Sequence, residues 1–162
     1  MDPAPKSPPS LTVFVDADAC PARDDILLVC KRHGLKPVYV SNQEIRAIAN
    51  DHHAIMQVVT GEFDAADNWL VENAQEGDLL LTADLLLAQR AVKKKIEVMN
   101  FSGNCWTDEV IHDLVARREI QQYLREMNMP SHNPAAYTKQ NRSRLKASLH
   151  EWIETRKRRH AR

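Results

Sequence analysis

The sequence predicts an α/β fold in which a mostly parallel sheet of about five strands alternates with helices and a helical part ends the chain. Short runs of Val, Leu, Ile and Phe recur through residues 11–99, and amphipathic patterns separate them. Each run is almost continuously apolar, as in strands that are buried on both faces of a sheet. Because strands that alternate with helices form βαβ crossovers, the strands should run parallel.

Five strands are predicted in chain order. They are residues 11–15, 37–40, 54–59, 79–82 and 96–99. The first strand combines Val, Phe and Thr, which favour extended structure. The fourth is a run of three leucines that ends at Thr82, and Gly77 and Asp78 form the turn before it.

Six helices fill the remaining intervals. They are residues 21–33, 41–50, 64–74, 85–92, 107–127 and 138–158. Pro21 suits a first helical turn, and Gly34 ends that helix. Ser41 and Glu44 form a capping-box pattern at the start of the second helix, and Thr107 caps the fifth. The apolar stripe of the last helix consists of Leu145, Leu149, Trp152 and Ile153.

Acidic side chains follow three of the predicted strands. Asp16 and Asp18 come directly after the first strand at positions i and i+2, roughly 6–7 Å apart on one face while the backbone stays extended. Asp84 follows the fourth strand, and Asp64 and Asp67 are neighbours on the helix after the third. Since the carboxyl ends of parallel strands share one edge, Asp16, Asp18 and Asp84 should meet there.

These five carboxylates are the candidate catalytic residues. Carboxylate oxygens without an adjacent His or Cys prefer hard cations, so we expect Mg²⁺ or Mn²⁺ at Asp16, Asp18 and Asp84. Such a site commonly serves phosphate chemistry. Two structural alternatives stay open: Asp16 and Asp18 cap a turn, and Asp64 and Asp67 stabilise the start of their helix.

Charge is divided unevenly along the chain, although Lys plus Arg and Asp plus Glu both number 22. No Lys or Arg stands between Arg46 and Arg90, whereas residues 139–162 are strongly basic. The candidate phosphate contacts are Lys139, Arg142, Arg144 and Arg158. This pattern fits a metal centre beside an anion-binding arm. The alternative is that the basic residues only solvate a helix end, and a homodimer is left open.

The remaining features favour a cytoplasmic protein. The three cysteines show no CxxC spacing and are odd in number, which argues against a disulfide framework or structural zinc. Residues 1–10 are rich in proline and contain no apolar run, so we expect a flexible leader. No stretch approaches the ~20 apolar residues of a membrane span. All seven histidines are expected at the surface.

Three motifs together resemble the YaiI/YqxD family of uncharacterised bacterial proteins. They are Val-Asp-Ala-Asp-Ala-Cys-Pro at residues 15–21, Phe-Asp-Ala-Ala-Asp-Asn-Trp at residues 63–69 and Gly-Asp-Leu-Leu-Leu-Thr-Ala-Asp at residues 77–84. Tyr137-Thr138-Lys139 before an Arg-rich helix is similar too. The resemblance runs from about Leu11 to Ile153.

The resemblance implies a PIN-like domain over residues 11–153, between the leader and a basic tail at residues 154–162. PIN-like domains are three-layer α/β/α sandwiches, and many are Mg²⁺-dependent ribonucleases. By this likeness, Asp16 matches the acid after the first strand, and Thr82 and Asp84 match a later Thr-x-Asp signature. The resemblance therefore makes a divalent-metal-dependent nuclease the leading functional hypothesis, with nucleic acid as the expected partner and RNA favoured over DNA.

Two other classes remain as alternatives. A haloacid-dehalogenase-like phosphatase would use Asp16 as nucleophile and Asp18 as acid/base, but residues 37–92 contain no lysine for that chemistry. An RNA-binding module would keep the acids without turnover and would use the basic last helix, with Tyr137 and Trp152 available for stacking.

Overall fold

The computed structural model describes residues 11–131 and 135–160, so the predicted leader and the last two residues of the predicted tail lie outside the described residues. The strands are β1 (Val13–Asp16), β2 (Val38–Ser41), β3 (Ile55–Val58), β4 (Leu79–Leu81) and β5 (Glu97–Met99). The helices are α1 (Arg23–Arg32), α2 (Arg46–Ala49), α3 (Ala65–Asn73), α4 (Leu85–Lys93), α5 (Asp108–Glu126) and α6 (Lys139–His160). No helix among these residues is long and apolar enough to cross a membrane.

The five strands form one sheet in the order β3-β2-β1-β4-β5, and every pairing between them is parallel. The predicted parallel α/β fold is therefore confirmed. The chain builds outward from β1 on one side and, after β3, crosses to the other side of β1 to form β4. The strand order therefore reverses between β1 and β4. In open α/β sheets, ligands bind in the crevice at the carboxyl ends of the strands on either side of such a reversal.

Two apolar cores lie on opposite faces of the sheet, because alternate residues of a strand point to opposite sides. Val13 and Val15 face α1 and α6, whereas Phe14 and Leu80 face α3, α4 and the start of α5. On the first face, α6 buries Leu145, Leu149 and Ile153 completely, as its apolar stripe predicts. The molecule is thus a three-layer sandwich with the sheet in the middle.

The last helix runs parallel to α1 and spans the height of the sheet. Near the N-terminus of α6, Arg142 forms a bidentate ion pair with the buried Asp25 in the first turn of α1. Its Nε donates to Oδ2 (2.7 Å) and its Nη2 donates to Oδ1 (3.2 Å). Near its C-terminus, Lys157 donates to the carbonyl of His33, the C-cap of α1. Since α1 descends from the carboxyl edge of β1 to the amino edge of β2, the two ends of α6 lie at opposite edges of the sheet.

Gly103 explains how the loop after β5 approaches α6 so closely. Its φ of +82° is left-handed, and a Cβ there would lie 2.7 Å from the carbonyl oxygen of Arg144. Tyr137 strengthens the same contact by donating its hydroxyl proton to the carbonyl of Phe101 (2.6 Å). Only glycine fits at this crossing without strain.

The capping predictions have mixed outcomes. Thr107 caps α5 by accepting a hydrogen bond from the Val110 N–H, as predicted. The predicted capping box of Ser41 and Glu44 is wrong, because Ser41 is the last residue of β2 and α2 begins only at Arg46. The Ser41 hydroxyl has a different partner, which lies in the candidate site.

Candidate functional site

Asp16 is the last residue of β1 and stands at the carboxyl edge of the sheet. Thr82, the residue after β4, lies beside it, because the register pairs Val15 with Leu81. The Thr82 hydroxyl donates a hydrogen bond to Oδ2 of Asp16 (2.7 Å). Since Thr82 is completely buried, this bond holds the carboxylate in a fixed orientation at the crevice.

Asp84 connects to Asp16 through the same hydroxyl. The backbone N–H of Asp84 donates a hydrogen bond to Thr82 Oγ1 (3.0 Å). The Thr82 hydroxyl therefore accepts from the backbone of Asp84 and donates to the side chain of Asp16. The Asp84 carboxylate also caps α4, because its Oδ1 accepts from the N–H groups of Leu86 and Leu87 (2.9 and 3.1 Å). The predicted Thr-x-Asp pair is therefore a rigid turn that presents an acid at a helix start.

Asp18 is held in a similar way by the end of β2. Its Oδ1 accepts from the Ser41 hydroxyl (2.6 Å) and from the N–H of Asn42 (3.2 Å), while Ser41 Oγ accepts from the N–H of Gln43. The last residue of β2, Ser41, thus orients Asp18 in the same way as Thr82, the residue after β4, orients Asp16. Sequence reasoning missed Ser41 as a site residue, although Ser41 and Thr82 stand at similar positions, at the ends of the two strands that flank β1.

The structure separates Asp64 from Asp67. Asp64 occupies the N-cap position of α3 but makes no capping hydrogen bond through its side chain, and it is exposed. Asp67, one turn further, is half-buried, and its charge interacts with those of Asp84, Asp64 and Asp18. We use the name carboxylate cluster for Asp16, Asp18, Asp67 and Asp84, whose charges act on one another at this edge.

Burial and mutual repulsion raise the pKa of two members of the carboxylate cluster. The pKa of Asp16 rises from 3.8 to about 6, chiefly through burial and further through the charges of Asp67, Asp18 and Asp84, while the Thr82 hydrogen bond opposes the rise. Burial and the charge of Asp84 raise the pKa of Asp67 in the same direction. Assembling these acids costs free energy that a proton or a bound cation would relieve.

The donor set of the carboxylate cluster fits a hard divalent cation. Every side chain in it offers carboxylate oxygens, the ligands that Mg²⁺ and Mn²⁺ prefer over nitrogen or sulfur. The nearest thiol, Cys20, has its pKa raised to about 11 by burial, so it stays protonated and is a poor ligand. Asp16 and Asp84 could hold such an ion together, because both bond to the Thr82 hydroxyl, Asp16 through its side chain and Asp84 through its backbone N–H.

A cleft of about 360 Å³ opens at the same edge, between the start of α1 and α2. Cys20, Arg23 and Ile48 line it, and Asp25 and Arg142 form part of its wall. The guanidinium of Arg142 is engaged by Asp25, so its charge at this wall is largely compensated. None of the four members of the carboxylate cluster lines this cleft, so the cleft is a separate feature of the same edge.

The predicted phosphate contacts are divided between the two edges of the sheet. Lys139 and Arg144 are exposed in the N-terminal part of α6, on the side of the carboxylate cluster. Arg158 is exposed near the other end of α6, next to Lys157, which contacts His33 at the amino edge. At 1.5 Å per residue, Arg158 lies about 24 Å along the helix from Arg142.

Comparison with known proteins gives a consistent result. Residues 14–155 match a family model described as "Uncharacterized BCR, YaiI/YqxD family". The chain is similar to the UPF0178 protein of Rhodospirillum rubrum, with 36% identity over 91% of this chain and 99% of the relative. It is also similar to UPF0178 proteins of Mesorhizobium japonicum (40%; 87% and 90%) and Parvibaculum lavamentivorans (35%; 91% and 96%). No solved structure matches the chain.

Proposed function

The chain belongs to the uncharacterised YaiI/YqxD family, and from the carboxylate cluster we propose that it is a divalent-metal-dependent nuclease that hydrolyses single-stranded RNA. The observation that carries the proposal is the convergence of four acids at the crevice of a parallel sheet, with Asp16 buried enough that its pKa rises to about 6. Buried like charges of this kind are typical of sites that bind a cation or transfer a proton.

The side chains around the cluster have distinct roles in this proposal. Asp16 and Asp84 hold the ion, and Asp18 supports it. Thr82 and Ser41 orient Asp16 and Asp18 through their hydroxyl groups. Mg²⁺ or Mn²⁺, when bound, supplies positive charge for the scissile phosphate and lowers the pKa of its bound water. Without that charge, the cluster would repel a phosphodiester.

The attacking group in the proposed reaction is water. The hydroxyl groups of Ser41 and Thr82 donate to carboxylates at 2.6 and 2.7 Å, so their protons are already engaged. Cys20 is a protonated thiol. Asp67 is the candidate to orient the water and to accept its proton, because its raised pKa makes it a stronger base than an ordinary Asp.

An exposed aromatic side chain at the same edge supports a single-stranded substrate, and two basic residues of α6 support a nucleic-acid substrate in general. Phe63, which directly precedes Asp64, is fully exposed, with a relative accessibility of 108%. An exposed aromatic ring near the proposed catalytic centre offers a stacking surface to an unpaired base. The bases of a duplex are already stacked and paired, so they could not use this surface. Lys139 and Arg144 add positive charge for the phosphate backbone.

The test is cleavage of a panel of labelled RNA and DNA oligonucleotides, single-stranded and duplex, with Mg²⁺, with Mn²⁺ and with chelator. We expect the wild type to cleave single-stranded RNA only with the metal. Asp16→Asn should lower the rate at least roughly 100-fold, because it removes a ligand and the charge that positions the ion. RNA binding, measured by fluorescence anisotropy with Ca²⁺, should change little.

The matched control is Asp113→Asn, which makes the same chemical change at an exposed position of α5. It should cleave at the wild-type rate. If purified wild-type protein binds RNA but cleaves no oligonucleotide with either metal, the RNA-binding alternative replaces the nuclease. Full activity of Asp16→Asn would also contradict the proposal.

A further inference from the structure

A second group of metal-ligating side chains lies at the opposite edge of the sheet from the carboxylate cluster. His33, at the C-terminal end of α1, faces His150 and Glu154 of α6. One ligand atom from each of the three residues lies within 4.8 Å of the others. The His33 side chain is only 6% exposed, contrary to the expectation that every histidine is a surface residue.

The geometry of the two imidazoles is unusual for surface histidines. Nε2 of His33 lies 2.8 Å from Nδ1 of His150, so the two ring nitrogens face each other at hydrogen-bond distance. His150 and Glu154 are four residues apart on α6 and therefore lie on the same face of the helix. The two helices thus bring three ligand side chains to one point, two of them from one turn of α6.

We propose that His33, His150 and Glu154 form a site for a borderline transition-metal dication, with Zn²⁺ as the ion it fits best. Two imidazole nitrogens and one carboxylate are a common zinc ligand set, and water completes the tetrahedron. Mg²⁺ would not compete well, because it prefers an all-oxygen environment. The site is independent of the carboxylate cluster, so neither proposal depends on the other.

Metal binding requires the ligand side chains to move, because Oε1 of Glu154 lies 3.6 Å from Nδ1 of His33 whereas His150 faces the other nitrogen, Nε2. With Zn–N bonds of ~2.0–2.1 Å and a tetrahedral angle, the two nitrogens must separate to roughly 3.3 Å. His150 is exposed, so its ring can move by the necessary half ångström. The ion would link α1 directly to α6, and since it binds only the folded arrangement, it should stabilise the protein against unfolding.

The ammonium group of Lys157 opposes the binding of a metal ion at this site. This group lies 3.1 Å from Nδ1 of His33 and donates to the His33 carbonyl (3.0 Å). A dication at the imidazoles would be repelled by this charge, so the exposed Lys157 side chain must turn toward solvent when the metal binds. Removing the charge should therefore strengthen metal binding, which a merely structural histidine pair would not predict.

Among the described residues, one other set of three side chains has its ligand atoms within 4.8 Å of one another, namely Asp51, His52 and His53. These residues are consecutive in a tight turn, and the Asp51 carboxylate already accepts the His53 N–H (2.9 Å). A consecutive triplet cannot surround an ion as side chains from two helices can. This set therefore serves as the internal control for nonspecific binding by histidine.

The test is a titration of chelator-treated, full-length protein with Zn²⁺ against a chromogenic zinc chelator, together with thermal melts. We expect one tight equivalent of Zn²⁺ and a higher melting temperature in the wild type. His150→Gln should weaken binding by roughly tenfold or more, and Lys157→Met should tighten it. The double variant His52→Gln/His53→Gln should bind as the wild type does.

Co²⁺ absorption spectra provide the second measurement. We expect a tetrahedral spectrum without a thiolate charge-transfer band, and Cys105→Ser should leave it unchanged. Because His150 is exposed, its variant should keep the wild-type circular dichroism spectrum, and Glu154→Gln gives a second test of the ligand set. Wild-type zinc affinity in His150→Gln, or loss of tight binding in either the His52/His53 or the Cys105 variant, would overturn the proposal.

Discussion

At the scale of single residues, the Asp16 carboxylate is controlled by three features of the fold. Burial and the neighbouring acids favour its protonated form, whereas the Thr82 hydroxyl favours its ionised form. The balance raises its pKa to about 6, close to physiological pH. The charge state of Asp16 therefore changes within the pH range in which cells work, and the change should be visible in the stability of the protein.

The first residue-scale prediction concerns pH. Because the pKa of Asp16 in the folded state, about 6, lies above its ordinary value of 3.8, the folded protein binds more protons than the unfolded chain between these pH values. The free energy of unfolding should therefore fall as pH rises from about 4 to 6. Chemical denaturation across this range should show the fall, and Asp16→Asn should reduce it.

The same titration checks the metal. If Mn²⁺ binds at Asp16 as proposed, it must compete with the proton there, so its stabilising effect should grow as pH rises through about 6. A stabilisation by Mn²⁺ that is equal at pH 5 and pH 7, or equal in wild type and Asp16→Asn, would mean that the ion binds elsewhere.

The sequence predicted the acids but not the side chains that orient them. Asp16, Asp18 and Asp84 could be placed at one edge because strand ends of a parallel sheet must meet. Ser41 could not be assigned correctly, since Ser followed three residues later by Glu is also a helix-capping pattern, and tertiary packing decides between the two. His33 was misassigned because its burial depends on how α6 packs.

At the scale of elements, α4 and β4 act as one unit through the turn that joins them. Asp84 caps α4 with Oδ1, and Thr82 fixes the backbone of the same turn. A capping role and a metal-binding role are compatible, because both cap bonds reach the same oxygen. The sequence located Asp84 correctly, but its role as a helix cap became evident only from the structure.

The element-scale prediction separates these two roles of Asp84. Asp84→Asn keeps an oxygen that can cap α4, so the melting temperature without metal should stay close to that of the wild type. The stabilisation by Mn²⁺ and the RNA cleavage should both be lost with the charge. Asp84→Ala should in addition lose about 1 kcal/mol of unfolding free energy, the typical contribution of a cap.

Thermal melts of the wild type and both variants, with and without Mn²⁺, make this comparison. If Asp84→Asn gains as much from Mn²⁺ as the wild type does, Asp84 is a cap and not a ligand.

At the scale of the whole molecule, the direction of α6 determines which basic residues can serve the carboxylate cluster. The contacts of Arg142 with Asp25 and of Lys157 with His33 fix the two ends of α6 at opposite edges. The fold class, five strands and six helices were predictable, because apolar periodicity is local. The direction of α6 was not, because a hydrophobic stripe packs equally well in either direction.

The whole-molecule prediction is a difference in salt dependence. For single strands, the slope of log affinity against log salt changes by roughly 0.7 for each phosphate contact. Lys139→Gln/Arg144→Gln should therefore flatten the slope for RNA binding by about 1.4, whereas Arg158→Gln/Arg159→Gln should change it less, because these residues lie at the other end of α6. Anisotropy titrations in increasing KCl measure both. Equal slopes for wild type and the Lys139/Arg144 variant would exclude this surface.

The most direct measurement for the account as a whole is an anomalous difference map from crystals grown with Mn²⁺. We predict a peak at bonding distance from the carboxylate oxygens of Asp16 and Asp84, at the crevice between β1 and β4, and no such peak in crystals of Asp16→Asn. A map with no peak at the carboxylate cluster, at a Mn²⁺ concentration that stabilises the protein in solution, would contradict the account.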